Sequence, residues 1–172
     1  MTGVQTCALP IFYAPTSGSG TFAIASGGRL SLNGAGSSID PAGKPALTVQ
    51  GGGTLGVTGS LRVGANAEVT GTDTTLEITG TLQVDTSISP TSNGRIHLAG
   101  GSITGDGNVN VPSSGTLTVS GGTVDGTGTL AIASGGHATI ALTSTFYVNK
   151  PVTNAGTWTQ TSDPTNTPYC LT

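Results

Sequence analysis

A 21-residue repeat is the feature that most constrains this chain. The stretch GRIHLAGGSITGDGNVNVPSS (94–114) lies over GTLTVSGGTVDGTGTLAIASG (115–135) with glycine on glycine at five positions. Ile96, Leu98, Ile103, Val109 and Val111 fall on Leu117, Val119, Val124, Leu130 and Ile132. Upstream, GTLGVTGSLRV (53–63) lies on TTLEITGTLQV (74–84) at the same spacing of 21. The first repeat is longer: TFAIASGGRLSLNG (21–34) meets ALTVQGGGTLGVTG (46–59) at 25, with the extra residues in SSIDPAGKP (37–45). Repetition at a period of about 20–50 residues is the mark of stacked architectures.

Each repeat holds three short pieces in which apolar and small polar residues alternate, as in Leu117-Thr118-Val119. The first piece begins at Phe22, Leu47, Ala67, Ile88, Val109, Leu130 and Val152. The second begins at Leu30, Leu55, Leu76, Ile96, Leu117, Ala138 and Trp158, the third at Ile39, Leu61, Leu82, Ile103, Val124 and Phe146. Alternation with period two is the signature of a strand with one buried face. SGG, GG or GTG between pieces supplies the backbone freedom of tight corners. Pieces this short are too small for independent hairpins. They are stable if each repeat is one coil of a solenoid, whose strands pair in parallel with those of the coils above and below. The sequence therefore predicts an all-β, single-stranded parallel β-helix, or β-solenoid. It has three short strands per coil, about 21 residues per coil and six to seven coils, roughly 30 Å long at about 4.8 Å per coil. A sandwich of short strands shows turn signals at similar spacing, but does not require three strand positions to keep one period.

Composition agrees. Only 8% of residues are charged, against about 25% in ordinary domains. Glycine accounts for 29 of 172 residues, more than twice the usual share of about 7%. Such a chain builds its core from Leu, Val and Ile in register. The net charge is −3, and Arg29, Lys44, Arg62, Arg95 and Lys150 are scattered, not gathered in the basic stripe that nucleic acid demands. No apolar run approaches the length of a transmembrane helix, so no membrane insertion by this segment is expected. Cys7 and Cys170 do not make a disulfide framework.

G-T-L-x-V, GG-T-V-x-G-x-G-T-L-x-I and N-A-G-T-W resemble the repeats of large secreted bacterial surface proteins, the autotransporter passengers and haemagglutinin-like adhesins. The resemblance covers about Ser19 to Gln160. It implies a right-handed helix, an extracellular or cell-surface location, and a stalk or passenger scaffold serving adhesion. Implied partners are host-cell or matrix carbohydrate or protein, and the remainder of the same polypeptide. A second resemblance concerns the N-terminus. Residues 2–11, TGVQTCALPI, resemble a translated sequencing-library adapter with GTG read as the start codon. The expected organisation is a non-native segment at 1–11, coils over 12–160, and a truncated or irregular tail at 161–172.

The alternative function is a β-helix carbohydrate-active enzyme, a polysaccharide lyase or glycoside hydrolase. Asp85 and Asp106 are its candidate catalytic residues, since a spacing of 21 stacks them on adjacent coils. Carboxylates about 5–5.5 Å or about 6.5–9.5 Å apart are what glycoside hydrolysis uses. Both lie in turn contexts, DTSISPTSNG and T-G-D-G, where an Asp closes its own corner, and neither has a basic residue in its own row. His97 follows Ile96 and points outward beside Glu77, so a cross-coil pair worth about a few tenths of a kcal/mol is expected. His137 lies on the other side of its strand start, two coils on. No third ligand joins the histidines, and GGSITGDGN and GGTVDGTGT break the spacing of calcium-binding β-roll repeats. No cofactor or metal is expected, and catalysis is the less favoured reading. Arg29, Thr54, Thr75, Arg95, Thr116 and His137 form a largely hydroxylated outward ladder, a hydrated surface suited to carbohydrate. SSIDPAGKP is expected to bulge from the coils, and the strand at Ile88 to be irregular because Pro90 removes a ladder donor.

Overall fold

The computed structural model describes residues 20–33, 37–39 and 47–161. Among them are eighteen strands and no helix, numbered here in chain order. One file comprises Gly20–Ala23 (β1), Leu47–Gln50 (β4), Ala67–Thr70 (β7), Ser87–Thr91 (β10), Asn108–Val111 (β12), Leu130–Ile132 (β14) and Val152–Asn154 (β17). A second comprises Arg29–Leu32 (β2), Thr54–Val57 (β5), Thr75–Ile78 (β8), the start of Arg95–Thr104 (β11), the start of Thr116–Val124 (β13), His137–Ala141 (β15) and Thr157–Thr161 (β18). The third runs through Ser37–Ile39 (β3), Ser60–Val63 (β6), Thr81–Val84 (β9), the ends of β11 and β13, and Phe146–Val148 (β16).

Every pairing joins one coil to the next in parallel. The molecule is thus a β-solenoid of about six turns with about 21 residues per turn. Leu30, Leu55, Leu76, Ile96, Leu117, Ala138 and Trp158 are successive register partners down one inner row. Leu55, Leu76, Ile96 and Leu117 have no exposed surface. Alternation aims every second side chain at the axis, and stacking closes the core above and below.

The register departs from the sequence expectation in three places. Phe22 lies opposite Val49, not Leu47. Ile39 lies opposite Val63, not Leu61, and Val148, not Phe146, lies opposite Val124. Each difference is a shift of two residues. Such a shift keeps the same side chains inward, so a period-two pattern cannot distinguish the two registers.

Three loop expectations are also corrected. Ser37–Ile39 does not bulge but pairs with Leu61–Val63; the remainder of SSIDPAGKP lies outside the described residues, as do residues 1–11 and 162–172. Thr161, placed in the tail by sequence, pairs with Ala141 in β18. The strand at Ile88 is regular toward β7, where Ile88–Thr91 pair with Ala67–Thr70. Toward β12 only Ser87 and Ile88 pair, as the missing N–H of Pro90 makes intelligible. Ser92 and Asn93 turn the corner that follows, with φ values of 49° and 66°.

Gly100-Gly101 and Gly121-Gly122 do not separate strands. β11 and β13 run unbroken through this corner, merging the second and third files into one eleven-stranded sheet. Gly59, Gly80, Gly101 and Gly122 stack there. A Cβ on Gly80, Gly101 or Gly122 would drive into the carbonyl oxygen of the glycine one coil back. Close packing of main chain on main chain is why glycine holds this row.

Candidate functional site

The corner between the third and first files carries the two aspartates. Asp85 follows β9 and is closed by its neighbours. Its Oδ2 accepts from Arg62 Nε at 2.8 Å and lies 2.6 Å from Arg62 Nη2. Its Oδ1 accepts from Gln83 Nε2 at 3.0 Å. Its own row holds no basic residue, as the sequence reading has it, but the partner comes from outside that row. Arg62 stands in another row, one coil back, and its long side chain crosses to the corner. Asp106 does not cap its own turn either: its Oδ1 accepts from Thr127 Oγ1 on the next coil at 2.8 Å. The local cap belongs to Asp125, whose Oδ1 accepts from the Gly126 amide at 2.8 Å. Asp85 and Asp106 thus occupy the same corner of adjacent coils, each held by its own partners.

Lys150 completes this corner and was not singled out by sequence. Only Asn149, Lys150 and Pro151 connect β16 to β17, where 125–129 connect β13 to β14. The shorter link draws Lys150 inward until it is only 5% exposed. Its Nζ donates to the Gly105 and Gly107 carbonyls, at 2.8 and 2.7 Å, two coils back. Burial lowers its pKa from the ordinary lysine value, against the opposing pull of Asp106 and Asp125. A lone lysine after two Asp/Gly corners was the available signal.

The outward face of the second file is a grid of three rows. Arg29, Thr54, Thr75, Arg95, Thr116 and His137 are register partners in the first row, as the sequence ladder predicts, and Thr157 extends it. Glu77 and His97 are partners in the second, but their principal bonds go elsewhere. Arg29 Nη2 and Nη1 donate to Glu77 Oε1 and Oε2, at 2.5 and 3.2 Å. The guanidinium spans the intervening coil because Gly56 has no side chain there; a Cβ would come 2.9 Å from Nη2. The Arg29 hydrogen bond holds the Glu77 carboxyl below its ordinary range against the opposing effect of burial, with further help from the charges of Arg29 and His97. His97 Nε2 lies 3.1 Å from Ser120 Oγ on the next coil. His137 also faces outward, in the Thr116 row.

Among the described residues no three metal-ligating side chains cluster, and no helix is long and apolar enough to cross a membrane. A shallow groove of about 480 Å³ lies along 110–112, 131–133 and 153–155, with no ionisable side chain in its lining. Comparison with known proteins finds no match to a family model, a curated protein or a solved structure.

Proposed function

We propose that this chain is a structural element, a stalk or passenger scaffold of a secreted or surface-anchored bacterial protein that serves adhesion. The observation carrying this reading is the unbroken parallel ladder from β1 to β17 and from β2 to β18, backed by one continuous apolar core. A stack of this kind converts chain length into axial reach, about 4.8 Å per coil, and presents its outward rows at fixed intervals. Thr and Ser dominate those rows, a weakly charged and hydrated surface suited to contact with host-cell or matrix carbohydrate. The resemblance of G-T-L-x-V and N-A-G-T-W to bacterial surface repeats supports the location. The carboxylates serve the coil: Asp85 ties β6 to β9 through Arg62, and Asp106 ties its corner to Thr127.

Incubation of the purified chain with acidic and neutral polysaccharides tests this against the carbohydrate-active alternative. No new reducing or unsaturated ends are expected, from the wild type or from Asp85→Asn combined with Asp106→Asn. Cleavage by the wild type that disappears in the double variant would replace the scaffold with an enzyme.

A further inference from the structure

The outward grid of the second file holds one arrangement that stacking alone does not require. Thr58, Thr79, Ser120 and Thr161 follow Val57, Ile78, Val119 and Gln160, which belong to one register row. In Thr58, Thr79 and Thr161 the hydroxyl donates to a carbonyl one coil back, at 3.2, 3.4 and 3.3 Å. Ser120 lies at the limit of that bond, 3.5 Å from the Leu98 carbonyl, and closer to the His97 imidazole at 3.1 Å. It sits where the register between β11 and β13 shifts. Bulges of this kind re-aim a side chain. The Ser120 carbonyl is fixed by the Thr143 and Ser144 amides, at 2.8 and 3.2 Å.

The pair is half-buried, with charged residues nearby. Leu98, Val119 and Ile140 are register partners, but Ala99 pairs with Gly121, so Ser120 is the extra residue of the bulge. Arg95 stands two residues before His97 on the same face, about 7 Å along the strand, and makes no ion pair among the described residues. Glu77 is the register partner of His97 on the other side.

We propose that Ser120 and His97 form a nucleophile–base pair that accepts acyl groups from small activated esters. With the imidazole proton on Nδ1, Nε2 accepts from the Ser120 hydroxyl, the geometry by which a histidine activates a serine. Oγ bonds to the ester carbonyl carbon while its proton passes to Nε2. The tetrahedral adduct then expels the alkoxide, which leaves as the alcohol with that proton. Water attacks the acyl-serine carbonyl and gives a proton to Nε2, the bond to Oγ breaks, and Oγ recovers the proton.

The test is to expose the full chain to a fluorophosphonate probe and to 4-nitrophenyl acetate, and to map the adducts by mass spectrometry. Ser120 should be labelled ahead of every other serine. His97→Gln should lower that labelling about a hundredfold or more, the low end of what a positioned base supplies, with its sheet circular dichroism retained. Unfolding the wild type in urea should abolish the preference, a control that stands even if the variant misfolds. Labelling of Ser120 no faster than Ser102 or Ser114, or equal labelling in His97→Gln, would overturn the proposal.

Discussion

Arg29 and Glu77 show how an absent side chain creates an interaction. Their ion pair spans two coil steps only because Gly56 leaves the space between them empty. A Gly56→Val substitution should displace the guanidinium, and the Glu77 carboxyl should then titrate closer to its ordinary value in carbon-detected NMR. The same pair has a defined pH signature. Its folded pKa lies below the model-compound value of 4.5, so the unfolded chain binds the proton more readily. The pair's stabilisation is therefore full above 4.5 and lost as pH falls through the lowered folded value. Being exposed, it contributes below about 1 kcal/mol. The stability gap between wild type and Arg29→Gln should be open at about pH 6, shrink toward about pH 3, and close in about 1 M salt. Lys150 is the opposite case. Lys150→Met removes the donor to the Gly105 and Gly107 carbonyls, and should cost about 1–3 kcal/mol in urea unfolding.

At the scale of the strand, spacing is set by hydrogen bonds and cannot stretch to admit a side chain. The row of Gly59, Gly80, Gly101 and Gly122 expresses this. Gly101→Ala would press a methyl group into the Gly80 carbonyl, and the adjoining coils, held on both sides, have nowhere to move. The expected loss is about 2–3 kcal/mol, at the upper end for overpacking. Its neighbour Gly100 is the control: nothing lies within 4 Å of a Cβ there, but φ is +94°. Gly100→Ala should therefore cost only the backbone strain, about 1 kcal/mol. Equal melting shifts for the two variants would show that stacking does not select glycine in this row.

Across the whole molecule, strand pairing joins only adjacent coils, with long side chains such as Arg29 and Lys150 reaching one coil further, so stability is largely a chain of nearest-neighbour terms. Coils with partners on both sides and fully buried cores should open last. In hydrogen exchange, Leu117–Val119 of β13 should be protected longest, between β11 and β15. Val152–Asn154 of β17 should exchange earlier, because among the described residues it pairs only with β14 and Val152 is 39% exposed. One exchange rate throughout would mean that the coils open as a single cooperative unit.

The period, the parallel stacking and the inward rows were all legible in the sequence, because one coil repeats one pattern and the alternation within it names the buried face. Leu76, Ile96, Leu117 and Ala138 fell in line for that reason. Three things were decided by the tertiary structure. Register at Phe22, Ile39 and Phe146 was settled by the packing of whole coils, since a shift of two leaves the local pattern unchanged. Continuity through Gly100-Gly101 was settled by the stacked main chain, which bends at these glycines without ending the ladder. The partners of Asp85, Glu77, His97 and Lys150 were settled last. Long side chains leave their own row, and where they end depends on which neighbour is a glycine or a shortened corner.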